Sequence, residues 1–304
     1  MTHIEIVTPM RDALGECPLW DERGQSLYWI DSHKRLVRRH TPSNGAYREW
    51  MLPSSIGSFA LCESGRLMVA LEHEFVYLDL ETGALEGISQ VKHIADRIRL
   101  NDGRTDRAGR FLVGSVVMGR TEKLGALYQL NADASLRQVD FGFSCVNAIC
   151  FSPLGDWLYF TDSHTRRIMK YPYDTSTGAT GSPELFADTE SLNSGPDGAT
   201  VDSEGCLWTA LVQVGKLARF QPDGKLERLI DLPARHVTCP CFGGPELDVI
   251  YVTSISNSGN ALKDAHPDAG ALFAVYGTGV QGLPEVRFAD RNSRLKEAQD
   301  EKTA

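Results

Sequence analysis

The stretch Ser194-Gly195-Pro196-Asp197-Gly198-Ala199-Thr200-Val201-Asp202 places one carboxylate, Asp197, between a proline and a glycine, ahead of the apolar run Leu207-Trp208-Thr209-Ala210. A lone Asp in Pro-Asp-Gly ordinarily caps its own turn. Recurrence sets Asp197 apart: Glu16, Asn101 and Asn147 stand at the same distance, ten or eleven positions, ahead of similar apolar-aromatic runs. Carboxylate and amide oxygens brought together make a hard, oxygen-only site of the kind that takes Ca²⁺, Mg²⁺ or Mn²⁺ readily and accommodates Zn²⁺ or Fe²⁺. Pro222-Asp223-Gly224 has the same letters but follows Trp208, where a hairpin turn is expected, and serves as an internal control.

The elements that must position these residues are repeats. Apolar-aromatic runs begin at Leu27, Leu67, Phe111, Leu158, Leu207 and Ile250, with spacings of 40, 44, 47, 49 and 43 residues. Partner runs follow at Leu36, Phe75, Ala126, Ile168 and Leu217, and hairpin signals close several of them at Asn44-Gly45, Thr82-Gly83, Thr177-Gly178 and Asp223-Gly224. A period of this length with about four short strands is that of a propeller blade. The expected fold is therefore all-β, a six-bladed β-propeller over residues 1–288 with a single metal site at the mouth of its central channel. Equivalent positions in radial repeats point to one place, so Glu16, Asn101, Asn147 and Asp197 are expected to converge there. Ring closure is expected between Ile4-Glu5-Ile6-Val7 and Glu285-Val286-Arg287-Phe288, with a charged, mobile tail over 289–304.

Composition bounds the partners. A net charge of -9 and no local run of Lys and Arg argue against nucleic acid. Residues 1–11 lack a secretory leader pattern and no window approaches the length of a membrane span, so a cytoplasmic protein without a membrane partner is expected. Seven scattered cysteines fit reduced thiols, and Cys239-Pro240-Cys241 has no second pair with which to build a thiolate metal site. Gly277-Thr278-Gly279-Val280-Gln281-Gly282 matches a dinucleotide fingerprint in letters, but Leu283-Pro284-Glu285-Val286 follows it where a helix is needed, so a glycine-rich loop is expected. Asp31 and Asp162 are expected to terminate strands, and His236 is placed near the mouth of the sixth blade.

Several motifs together resemble the SMP-30/gluconolactonase/regucalcin family. They are Leu14-Gly15-Glu16-Cys17-Pro18-Leu19-Trp20 with Leu27-Tyr28-Trp29-Ile30-Asp31, Arg99-Leu100-Asn101-Asp102-Gly103, Asn147 ahead of Phe151-Ser152-Pro153, Pro196-Asp197-Gly198, and Cys241-Phe242-Gly243-Gly244. The resemblance implies a six-bladed propeller with one divalent metal and lactone hydrolysis as the usual activity. Position by position, it implies Glu16, Asn147 and Asp197 as metal ligands and Arg99 and Asn101 as substrate contacts. Where some animal members place a substrate-contacting Glu after the third-blade strand, this chain has Val116-Val117-Met118-Gly119.

Three protein ligands leave open positions for a lactone carbonyl and a water, and Asp197 is the candidate proton acceptor as well as a ligand. The stretch around His236-Val237-Thr238-Cys239 is similar to that of bacterial members, which favours an aldonolactone, a pentono- or hexonolactone, as the substrate of a monomer or weak homo-oligomer. The alternative is a Ca²⁺-binding regulatory propeller without turnover. No Gly-x-Ser-x-Gly elbow or His-Glu-x-x-His pair competes with the lactonase reading.

Overall fold

The computed structural model describes residues 2–119, 121–259 and 262–290. They form six four-stranded antiparallel sheets around a common axis, a six-bladed β-propeller. The inner strands are Gly15–Asp21, Ile56–Leu61, Ile98–Thr105, Val146–Phe151, Pro196–Val201 and Val237–Gly243, and each packs on the next around the ring. Every apolar-aromatic run marked in the sequence is the second strand of its blade, from Ser26–Asp31 to Val249–Ser254.

Burial follows radial position. The second strands are buried on both faces because each lies between two blades, and Trp29 and Trp208 are 0% exposed. Outermost strands such as Leu226–Asp231 alternate between exposed and half-buried, the pattern of a sheet with one wet face. Fully burying an aliphatic or aromatic side chain contributes about 1.5–3 kcal/mol, so the blade-to-blade layers supply the stability that no single blade has alone.

Closure differs from the expectation. His3–Ile6 pairs with Phe273–Tyr276, not with the segment at 285–288, and completes the sixth blade as its outer strand. Phe273–Tyr276 forms the third strand because it is an apolar run, with Phe273, Ala274 and Val275 all buried, that returns antiparallel to Val249–Ser254. The following segment instead crosses the base of the channel. Gly282 bridges to Asp202 in blade 5, Glu285 pairs with Arg104 at 2.7 Å, Phe288 bridges to Cys62 in blade 2, and the Ala289 N–H donates to Gly109 in blade 3. Phe288 and Asp290 are 0% exposed, so 289–290 continue the packed strap; the rest of the expected tail, 291–304, lies outside the described residues.

Gly277–Gly282 leads into no helix. Asp223 accepts the Lys225 N–H in the hairpin turn after Lys216–Phe220. The seven cysteines are free thiols. No helix among the described residues is long and apolar enough to cross a membrane.

Phe288 tests the strap. Phe288→Ala removes a ring buried among Ala60, Met68, Phe75 and Phe111, and unfolding by denaturant is expected to show a loss of about 3–5 kcal/mol. A loss below about 1 kcal/mol would mean that the segment merely rests on the surface.

Candidate functional site

Each inner strand breaks register with its neighbour at the same height. Five blades skip a pair, between Glu16 and Leu19, Leu100 and Gly103, Asn147 and Cys150, Pro196 and Ala199, and Val237 and Pro240, and blade 2 skips the single residue between Ile56 and Ser58. Such bulges re-aim side chains that a regular pleat would send alternately into the blade. Two of them use left-handed backbone at non-glycine residues, Cys17 at φ +48° and Ala148 at φ +57°. The glycines on either side of Pro196-Asp197 are required by close approach. A Cβ on Gly195 would lie 2.5 Å from the Ser163 carbonyl oxygen, and one on Gly198 would lie 2.3 Å from Cys239 Sγ.

The bulges bring the marked residues from four blades together. Asn101 Nδ2 donates to Asn147 Oδ1 at 2.7 Å and to the Val146 carbonyl at 3.1 Å. Arg99 Nη1 donates to Asn101 Oδ1 at 3.2 Å and to the Leu100 carbonyl at 2.8 Å. Asn147 Nδ2 donates to Ser163 Oγ at 2.9 Å. Asp197 and Asn147 are buried, whereas Glu16, Arg99 and Asn101 are half-buried and line the open end. Asp31 and Asp162 stay outside this group. Each accepts N–H groups from the segment that enters its own inner strand, Asp31 from Ala13 at 2.8 Å and Asp162 from Ser144 at 2.9 Å.

Electrostatics bind Glu16 and Asp197 to a third acid. Burial raises both well above the ordinary carboxylate range; Asp197 and then Asp102 push Glu16 further, and Asp102 pushes Asp197. Only Arg99 pulls Glu16 back, and no cationic side chain does so for Asp197. Asp102 itself is pushed up to about 6 by burial, against the pull of Arg104 and of the Ile149 and Gly103 N–H groups. Cys17 Sγ lies 3.9 Å from Asp102 Oδ1, and Arg104, which pulls on Asp102, is paired with Glu285 at 2.7 Å.

Sequence reasoning passed over Asp102. It stands beside Asn101 in what looks like an Asn-Asp-Gly turn, and ordinary strand alternation would send one of two neighbours away from the channel. The skipped pair between Leu100 and Gly103 includes both residues. The recurrence of paired polar or glycine positions at this height, as in Asp197-Gly198, is the signal that could have found it.

The donor set at the mouth, two carboxyls and an amide oxygen, suits a hard divalent cation, whose charge would offset the surplus negative charge. A different cluster, Asp202, Glu204 and Cys206, has potential ligand atoms within 4.8 Å of one another. Its central carboxylate is already saturated. Asp202 Oδ2 accepts Trp208 Nε1 and Arg219 Nε, both at 2.9 Å, and Oδ1 accepts the Glu204 and Cys206 N–H groups at 3.0 and 2.9 Å. That cluster ties the base of blade 5.

Comparison with known proteins places this architecture. The chain is 33% identical to the 6-deoxy-6-sulfogluconolactonase of Pseudomonas putida over 288 residues, covering 94% of this chain and 98% of the relative. It is 32% identical to the L-arabinolactonase of Azospirillum brasilense over 290 residues, covering 93% and 95%. A crystal structure described as a calcium-binding protein, regucalcin, from Agrobacterium tumefaciens superimposes with a TM-score of 0.87 at 27% identity, covering 93% of this chain and 96% of that one. The family described as SMP-30/Gluconolactonase/LRE-like region matches residues 14–256, most of the propeller and every marked site residue. The chain belongs to the SMP-30/gluconolactonase/LRE-like family.

Proposed function

We propose that this lactonase opens the ring of an aldonolactone, a pentono- or hexonolactone, at the mouth of the channel, with Glu16, Asn147 and Asp197 holding one divalent cation. The observation that carries this reading is the pair Glu16, half-buried at the open end, and Asp197, buried beside it, crowded by Asp102 and short of positive charge. Relatives named as sugar lactonases supply the substrate class. When bound there, a divalent cation supplies Lewis-acid polarisation of the lactone carbonyl and acidifies a water.

The chain's own groups supply the rest. Asp197 takes one proton of the attacking water and passes it to the ring oxygen as the C–O bond breaks, and the aldonic acid formed ionises to the open aldonate, releasing the second proton to solvent. Both Asn101 N–H bonds are already directed to protein oxygens, so its Oδ1 can only accept from a sugar hydroxyl. Arg99 spends Nη1 on Leu100 and Asn101 and keeps Nη2 and Nε as donors. The two side chains therefore offer a donor and an acceptor side by side, which complements vicinal hydroxyls. The Agrobacterium tumefaciens structure described as a calcium-binding protein supports a second reading, a propeller that binds Ca²⁺ without turnover.

Proton release from a panel of pentono- and hexonolactones, corrected for spontaneous hydrolysis, separates these readings. Turnover abolished by chelation, restored by a divalent metal and reduced about 10²–10⁴-fold in Asp197→Asn is expected; turnover indifferent to both would remove Asp197 from the mechanism, and tight Ca²⁺ binding with no turnover would favour the second reading. The pH dependence has a defined sign. Glu16 and Asp197 titrate above their ordinary values, so the cation-free site retains protons that binding must displace. Calorimetry in buffers of different ionisation enthalpy is expected to show proton release and affinity that rises with pH, whereas proton-neutral binding near pH 5–6 would mean ordinary, already ionised carboxylates.

A further inference from the structure

The tripeptide Asp-Ser-His follows the second strand in two blades, as Asp31-Ser32-His33 in blade 1 and Asp162-Ser163-His164 in blade 4. Each aspartate holds the segment that enters its own inner strand, and each serine reaches into the next blade. Ser32 Oγ donates to the Ile56 carbonyl of blade 2, and Ser163 Oγ donates to the Pro196 carbonyl of blade 5 at 2.7 Å. The serine N–H groups also correspond, donating to Leu14 and Cys145 at 2.9 Å each. The two serine hydroxyls differ in one contact: Ser163 Oγ receives the amide of Asn147, and Ser32 Oγ has only the Ile56 carbonyl as its hydrogen-bond partner among the described residues.

That contact decides which way the Asn147 amide faces. A hydroxyl has a single proton, and Ser163 gives it to Pro196, so only its lone pairs remain for a neighbour. The amide can meet lone pairs only with its NH₂ end, which turns Oδ1 toward the channel, where Asn101 donates to it at 2.7 Å. The full series runs one way, from Arg99 through Asn101, Asn147 and Ser163 to the Pro196 carbonyl. One end can only donate and the other can only accept, so neither amide can flip without breaking two bonds. The same hydroxyl also holds the residue immediately before Asp197, and glycine at 195 permits this close approach.

We propose that Ser163 is the positioning residue of the cation site, orienting the oxygen of Asn147 and tying it to the strand of Asp197, while Ser32 is the same device without a ligand to orient. This rests on the reading of Asn147 and Asp197 as cation ligands. Serine-to-alanine at either position removes an equivalent bond between blades, which makes Ser32 a matched control.

The test is calorimetric titration of the full-length cation-free protein with Mn²⁺ and with Ca²⁺, alongside thermal unfolding, for wild type, Ser163→Ala, Ser163→Thr and Ser32→Ala. Ser163→Ala is expected to weaken cation binding about 10–100-fold, the usual effect of losing a group that orients a ligand, while Ser32→Ala and Ser163→Thr stay within about threefold of wild type. The two alanine variants are expected to lose similar amounts of thermal stability. Unchanged affinity in Ser163→Ala, an equal loss in Ser32→Ala, or loss in Ser163→Thr with unfolding unaltered would each overturn the proposal while leaving the cation reading in place. A wild-type protein that binds neither cation would overturn that reading and the proposal with it.

Discussion

Three carboxyl groups, Glu16, Asp102 and Asp197, act on one another at the centre of the propeller, with Asp102 and Asp197 almost wholly buried. Two like unit charges about 4 Å apart repel by about 4 kcal/mol at an effective dielectric of 20, and burial adds a desolvation penalty to each. Such a group of acids is tolerated when protons or a cation neutralise it. The neighbouring arginines divide the task unequally: Arg104 is engaged by Glu285 from the strap below, and Arg99 lies at the open end with an asparagine and a backbone carbonyl as its partners. Positive charge is thus secured at the base and left short at the mouth.

The six-fold arrangement explains how residues far apart in sequence reach this point. Each inner strand carries its register break at the same height, so a carboxylate from blade 1, an asparagine from each of blades 3 and 4 and a carboxylate from blade 5 come together with no loop insertion. Blade 3 adds the wall above Arg99: Val116 is the register partner of Arg99, and it bridges to Cys145. The site therefore has a polar side built from Arg99 and Asn101, with Val116 beside Arg99 on the adjacent strand.

Much of this was legible in the sequence because propeller repeats convert spacing into geometry. The second strands are nearly continuous apolar runs, and counting back from them reaches Glu16, Asn101, Asn147 and Asp197. Three features were not legible. The closing strand Phe273–Tyr276 follows the second strand of blade 6 after a longer connection than in the other blades, and the alternating segment Glu285-Val286-Arg287-Phe288 has the pattern of an outer strand. Asp102 escaped because a register break places neighbouring residues on one side, against the alternation that a strand normally imposes. Ser163 escaped because its neighbour Asp162 is structural, and nothing in a lone Asp-Ser-His shows that one of its two copies touches an asparagine.

The central claim is that the mouth of the channel holds a divalent cation on Glu16, Asn147 and Asp197. Anomalous diffraction from crystals loaded with Mn²⁺ tests it most directly. The account predicts a single strong peak within coordination distance, about 2.0–2.3 Å, of oxygens from all three residues. A peak at Asp202 and Glu204 instead, or none at the channel mouth in crystals that show manganese elsewhere, would contradict it.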